Sequence, residues 1–181
     1  MKNRKLKIII KKINFNNYTD KCLEEKLRSF YNNDKLKFKE KLFKGPPDCF
    51  RALSWLVVCE IPLERNINIY HNYLAQDLEE EQKDLIIQDV VRTSANINMN
   101  REEKIKIRIS LYNVLKSFFN LDENFRYHQG TSYIVIFLLF IFEENRLDTF
   151  YMLISLLLIL LLKENNMNIL LEVYVVMIFL Y

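Results

Sequence analysis

Glycine is nearly missing from this chain of 181 residues, which holds two, Gly45 and Gly130. Loops that cradle a phosphate need several glycines close together, so that backbone N–H groups can approach the anion. With no such cluster, the chain does not read as a nucleotide-binding enzyme in its own right. Any nucleotide chemistry would be done on a partner's nucleotide. Cysteine is also scarce: Cys22, Cys49 and Cys59 are odd in number and form no CxxC pair. They read as buried or partly buried thiols in a reducing compartment. The two histidines, His71 and His128, lie far apart, and neither has a second ligand at metal spacing, so no zinc site is expected. No serine lies in a nucleophile-elbow pattern. A net charge of +3 is too small to argue for nucleic acid. Near the start the only apolar run is Ile8–Ile10, far shorter than the core of a secretory signal.

What is present is the material of a folded domain. Half of the residues are apolar and 27% are charged, which is not the composition of a disordered tail. Lys2, Arg4, Lys5, Lys7, Lys11 and Lys12 make a basic lead. It reads as a solvated start, with contact to a phosphate or an anionic membrane as the other use.

Helical spacing dominates the rest. Leu23, Leu27 and Phe30 share a stripe, with Thr19 or Asp20 as cap. Residues 32–44 are lysine-rich and polar and end at the turn signal Gly45-Pro46-Pro47. Asp48 then caps a short helix carrying Phe50, Leu53 and Val57, which stops before Pro62. Ile67, Tyr70, Leu74 and Leu78 mark the next helix, running into Glu79–Glu81. Leu85 to Thr93 adds a turn or two, with Ile86, Val90 and Thr93 on one side and Asp89 and Arg92 on another. Asn100 and Glu103 form a capping box for a long helix whose apolar face is Ile107, Leu111, Val114, Leu115 and Phe118. After a loop near Asp122–Arg126, Tyr127-His128-Gln129-Gly130 opens another apolar helix. From Tyr133 come three apolar runs, Tyr133–Phe142, Phe150–Leu162 and Ile169–Tyr181. Each falls short of the roughly 18–20 residues needed to cross a bilayer and fits a buried core helix better. The fold class is all-α.

Three blocks punctuate the chain in order. The first is Gly45-Pro46-Pro47, followed by Phe50-Arg51 and then Trp55. The second is Ile86-Ile87-Gln88-Asp89-Val90-Val91-Arg92-Thr93, an IxxDxxRT pattern complete at each defined position. The third is Tyr127-His128-Gln129-Gly130, a YxQG pattern behind an amphipathic helix. Together they resemble a TBC domain, the all-helical module that accelerates GTP hydrolysis on Rab-family small GTPases. The resemblance covers roughly residues 40–160 and matches the N-terminal subdomain. It divides the chain into a lead over 1–39 with one short helix, a partial TBC domain over 40–162, and an apolar segment over 163–181 that matches nothing recognisable.

The resemblance implies roles. Arg92 and Gln129 match the family's two catalytic fingers, which enter the GTPase. Asp89 and Tyr127 match supports that hold the Arg92 guanidinium and aim Gln129, beside Thr93 in the same motif. Arg51 and Trp55 match architecture: a structural charge pair and a buried indole. The chain needs no cofactor of its own, because GTP and magnesium belong to the partner. It would be a GTPase activator rather than an enzyme with its own substrate site. It would act in the cytoplasm, peripheral on endomembranes at most, without binding nucleic acid.

Two departures stand out. The family's usual Tyr-Cys-Gln-Gly-Met-Asn is here Tyr127-His128-Gln129-Gly130-Thr131-Ser132, a mild change because the intervening positions are not the chemical ones. A TBC domain also continues well beyond the length available after residue 160. The apolar runs after Tyr133 are therefore expected to leave an exposed apolar surface. A fragment, a decayed non-catalytic relative and a compact variant all fit. Three functions compete accordingly: a Rab GTPase activator, a Rab-binding scaffold without catalysis, and a small membrane protein built from the apolar runs.

Overall fold

A computed structural model describes residues 21–46 and 48–161, and among them there are eight helices and no strand. The basic lead, the Thr19 and Asp20 caps and the run Ile169–Tyr181 lie outside the described residues. In chain order the helices are α1 (Lys21–Asn33), α2 (Lys35–Phe43), α3 (Asp48–Val58), α4 (Ile67–Ala75), α5 (Glu80–Ala95), α6 (Arg101–Phe119), α7 (Thr131–Ile141) and α8 (Arg146–Leu161).

Helix α6 is the axis of the fold, packing against α4, α5, α7 and α8. Its start is the capping box read from the sequence. Asn100 Oδ1 accepts from Glu103 N at 2.9 Å, and Glu103 Oε2 accepts from Asn100 N at 3.1 Å. Ile107, Leu111, Val114 and Leu115 are fully enclosed, with Phe118 nearly so. Burying such side chains contributes roughly 1.5–3 kcal/mol each. On α3, Trp55 is buried with its ring 5.8 Å from Phe137, and Arg51 is half-buried.

Four expectations are corrected. Residues 32–44 contain a complete helix, α2. Asp34 caps it by accepting from Lys37 N at 2.9 Å, and it runs across the boundary placed at residue 39. Helix α4 ends at Ala75, short of Leu78. The Asn120 amide donates to the carbonyls of Tyr73 and Gln76, both at 3.0 Å, which satisfies the last turn of α4 and lets the chain leave it. Leu78 is buried from the connection instead, and α5 begins at Glu80 with Glu80 and Glu81 in its first turn, where the helix dipole favours negative charge. The described part of the apolar runs from Tyr133 is mostly covered, because α7 packs against α5, α6 and α8. Tyr133, Ile134 and Leu158 are their exposed large side chains among the described residues. Cys22 is exposed, whereas Cys59 is largely enclosed, and burial pushes its thiol up to about 12.

Gly45 (φ +86°) follows α2, but with so little glycine two other helix ends are closed by glutamates. Glu60 (φ 53°) follows α3, and Glu143 (φ 49°) and Glu144 (φ 63°) follow α7, all in the left-handed region. Ile61 N donates to Leu56 O at 3.0 Å and Glu144 N to Leu139 O at 2.7 Å, the hydrogen bonds of a Schellman closure.

A cluster of buried charges ties α1, the α3–α4 connection and α8 together. Glu24 is 3% exposed. Its two oxygens accept from Arg65 at 3.1 and 3.2 Å, and Oε1 also accepts from Arg28 at 2.6 Å. Arg65 forms an ion pair on its other side with the buried Asp148. Arg28 also donates to the carbonyl of Ile61, and Arg65 to that of Pro62 at 2.9 Å.

Candidate functional site

Helix α5 carries the IxxDxxRT block, and its turn angle splits that block between core and solvent. Ile86, Val90 and Thr93 are buried as expected. Asp89 joins them at 2% exposed, which corrects the placement of Asp89 and Arg92 on one separate side. Three residues on, Arg92 projects outward with its side chain 48% exposed.

The chain from Tyr127 to Ser132 folds around the Asp89 carboxylate. Asp89 Oδ2 accepts from Tyr127 Oη at 2.5 Å, from Ser132 Oγ at 2.6 Å and from the backbone N–H of Gly130 at 2.9 Å. Gln82 lies two turns before Asp89 on α5, and its Oε1 accepts from Tyr127 N at 3.1 Å. Thr93 Oγ1 lies 2.6 Å from Ser132 Oγ. Ser132 has one hydroxyl proton and gives it to Asp89, so Thr93 is the donor in that pair. The relay runs Thr93 to Ser132 to Asp89. The turn into α7 needs Gly130 for its backbone rather than for space: φ is +99°, and an added Cβ would meet nothing within 4 Å.

The other oxygen faces the arginine. Arg92 Nη1 lies 3.6 Å from Asp89 Oδ1, a charge contact beyond hydrogen-bond length, and among the described residues Oδ1 accepts no hydrogen bond. The buried carboxylate therefore spends its hydrogen bonds on the Tyr127–Ser132 turn and holds Arg92 by charge. Gln129 lies exposed on that turn, one residue before the anchored Gly130 N–H. One carboxylate thus links the mounts of both side chains.

The electrostatics match this wiring. Burial alone would push the Asp89 carboxyl up, but the Ser132, Tyr127 and Gly130 donors and the Arg92 charge outweigh it and hold it below its ordinary range. Tyr127 shifts the other way. Burial raises it first and its bond to Asp89 second, so the phenol keeps the proton it donates. Its ring also packs edge-on against Phe119 at 5.3 Å.

The structure thus brings together Asp89, Arg92, Thr93, Tyr127 and the Gln129 turn. Arg51 and Trp55 lie on α3, a different element from the Asp89 donors Tyr127, Gly130 and Ser132. Sequence reasoning missed two members. Gln82 had a signal, since it is seven residues before Asp89 on the same helical face. Ser132 had one too, as a polar residue at the head of an apolar helix. Ser132, one of the positions that depart from the usual block around Gln129, donates its hydroxyl to Asp89, a positioning role rather than a step of the chemistry. Among the described residues no group of His, Cys, Asp and Glu could hold a metal ion.

Comparison with known proteins bears on the same residues. The profile of the Rab-GTPase-TBC domain matches residues 48–180, well over half of the chain, and runs into the apolar segment after Lys163. The ecotropic viral integration site 5 protein homolog of Homo sapiens is 31% identical over 107 residues, which is 59% of this chain. The chain spans 13% of that relative's length. No solved structure matches it.

Proposed function

We propose, from the premise that this chain belongs to the Rab-GTPase-TBC domain family, that it accelerates GTP hydrolysis on a Rab-type GTPase by supplying Arg92 and Gln129 in trans. The observation that carries the reading is the shared Asp89. A single buried carboxylate lies 3.6 Å from the Arg92 guanidinium and anchors the N–H that follows Gln129. Two groups that must act on one phosphate are then mounted on one support, and the support is held ionised by three donors.

The chemistry requires this division of labour. Hydrolysis builds charge on the γ-phosphoryl oxygens and the β–γ bridge. A guanidinium placed there stabilises the transition state more than the ground state, and its planar donors suit the task better than an ammonium. A glutamine amide both donates and accepts, so it can orient the attacking water. Among the described residues Arg92 is held only by the 3.6 Å charge contact with Asp89, which leaves its donors available to a phosphate. GTP and magnesium are the partner's, and the site of action is the cytoplasm.

The test is single-turnover GTP hydrolysis by a panel of Rab proteins, with the wild-type chain and with Arg92→Ala and Gln129→Ala. Stimulation by the wild type should fall by about 10³-fold or more in Arg92→Ala, the scale of an arginine finger. Equal stimulation by wild type and Arg92→Ala would end the assignment. Binding of a Rab without stimulation, by a folded wild-type chain, would replace it with a scaffold role.

A further inference from the structure

Helix α2 is fastened by one side only. Phe38 and Leu42 are buried. Phe38 packs edge-on against Phe30 at 5.5 Å and Tyr31 at 5.4 Å, in a small apolar cluster with Val57 that is separate from the main core. On the opposite side Leu36 and Phe43, two helical turns apart, share one stripe at 71% and 48% exposed. Lysines flank that stripe, Lys37 and Lys44 along one border and Lys39 along the other. Lys35 and Lys41 lie nearer the packed side, their Nζ atoms 4.8 Å over the Tyr31 ring and 5.1 Å over the Phe30 ring. The acids nearby are Asp34, which caps the helix, Glu40 within the stripe, and Glu60, 2.9 Å from Lys35 Nζ. Five lysines outnumber them.

We propose that this face of α2 docks on an anionic phospholipid bilayer. Leu36 and Phe43 enter the boundary between headgroups and acyl chains, and the flanking ammonium groups meet lipid phosphates. Lysine suits this position because its stem lies along apolar surface while its charge reaches the polar layer. A second copy of the chain is the wrong occupant, since pairing two such faces sets lysines against lysines. A nucleic acid would use the lysines but leave the two exposed apolar side chains without a role. The contact is peripheral: among the described residues no helix is long and apolar enough to cross a membrane.

The experiment is co-sedimentation of the full chain with vesicles of phosphatidylcholine alone and with vesicles that also contain phosphatidylserine. Binding is expected to the anionic vesicles only and to weaken with added salt. Leu36→Ser/Phe43→Ser should lower the partition by about tenfold or more, from lost apolar burial. Each of Lys37→Gln and Lys44→Gln should lower it about fivefold. All four positions are on the surface, and circular dichroism checks that each variant is folded. The proposal is overturned by no binding of the wild type, by equal binding to both vesicles, or by unchanged binding of Leu36→Ser/Phe43→Ser. Release by inorganic phosphate but not by chloride at equal ionic strength would reassign the face to a free anion. A DNA duplex that binds the Leu36→Ser/Phe43→Ser variant as well as the wild type would reassign it to nucleic acid.

Discussion

Glu24 and Asp89 are carboxylates almost equally sealed from solvent, at 3% and 2% exposed, yet they are neutralised in different ways. Both Glu24 oxygens are taken by guanidinium groups, and Arg65 is itself clamped between Glu24 and Asp148. Two acids face two bases, and the cluster closes on itself. Asp89 instead gathers neutral donors on one oxygen and leaves its cation 3.6 Å from the other, half in solvent. Removing a member of the closed cluster strands buried charge. Drawing Arg92 away from Asp89 strands much less, because three donors still stabilise the anion. The finger role proposed for Arg92, which takes its guanidinium to a partner's phosphate, needs the second arrangement; a guanidinium that holds helices together needs the first.

The two arginines break this comparison most sharply. Arg65→Ala is expected to cost about 3–5 kcal/mol, since Glu24 and Asp148 lose their shared cation. Under the proposed function, the folded fraction should keep its stimulation of GTP hydrolysis. Arg92→Ala should do the reverse, abolishing stimulation while moving stability by no more than about 0.5 kcal/mol. Urea unfolding beside the hydrolysis assay reads both, and a larger stability loss in Arg92→Ala would invert the argument.

Asp89→Asn tests the open cluster next. An uncharged amide satisfies fewer of the three donors, at a cost of about 1–3 kcal/mol. The pH dependence has a definite sign. Folding lowers the Asp89 pKa below its ordinary 3.8, so its contribution is fully present above that value and lost as pH falls through the lower, folded one. The stability gap between wild type and Asp89→Asn should therefore be constant at neutral pH and narrow in acid below 3.8. A gap that widens in acid would mean the carboxylate is not held ionised by its donors.

Thiol labelling gives the smallest readout. Exposed Cys22 should react with a maleimide at neutral pH well before Cys59, whose thiol is pushed up to about 12 by burial. Cys59 follows α3, in the half of the molecule joined by the Arg65 cluster. Its labelling should quicken in Arg65→Ala and stay at the wild-type rate in Arg92→Ala. Equal quickening in both would show that the clusters open as one unit.

Periodicity and capping made α6 legible, because Asn100 and Glu103 act locally and Ile107, Leu111, Val114 and Leu115 share one buried face. The Asp89–Arg92 and Tyr127–Gly130 blocks were legible as motifs. Their joining was not, since Asp89 and Ser132 are 43 residues apart and no local pattern encodes that contact. Leu78 extended the pattern of α4 too far because the group that ends the helix, Asn120, comes from 44 residues away. Helix α2 was hidden by its lysines, as it buries only Phe38 and Leu42. Glu24 and Arg65 carried no signal, because 41 residues separate the two charges and no local pattern joins them.

The left-handed glutamates give the fold uneven room for change. A non-glycine residue in that conformation is strained by about 1–2 kcal/mol. At residue 60 the glutamate has a second task, because its carboxylate meets Lys35 at 2.9 Å and Tyr31 at 3.3 Å. Glycine there would relax the backbone and break those contacts together. Residue 143 sits at a similar turn and is in neither charged cluster, and Glu143→Gly should gain about 1 kcal/mol. That end of α7 is where the sequence has most freedom to drift toward a sturdier protein without disturbing either charged cluster.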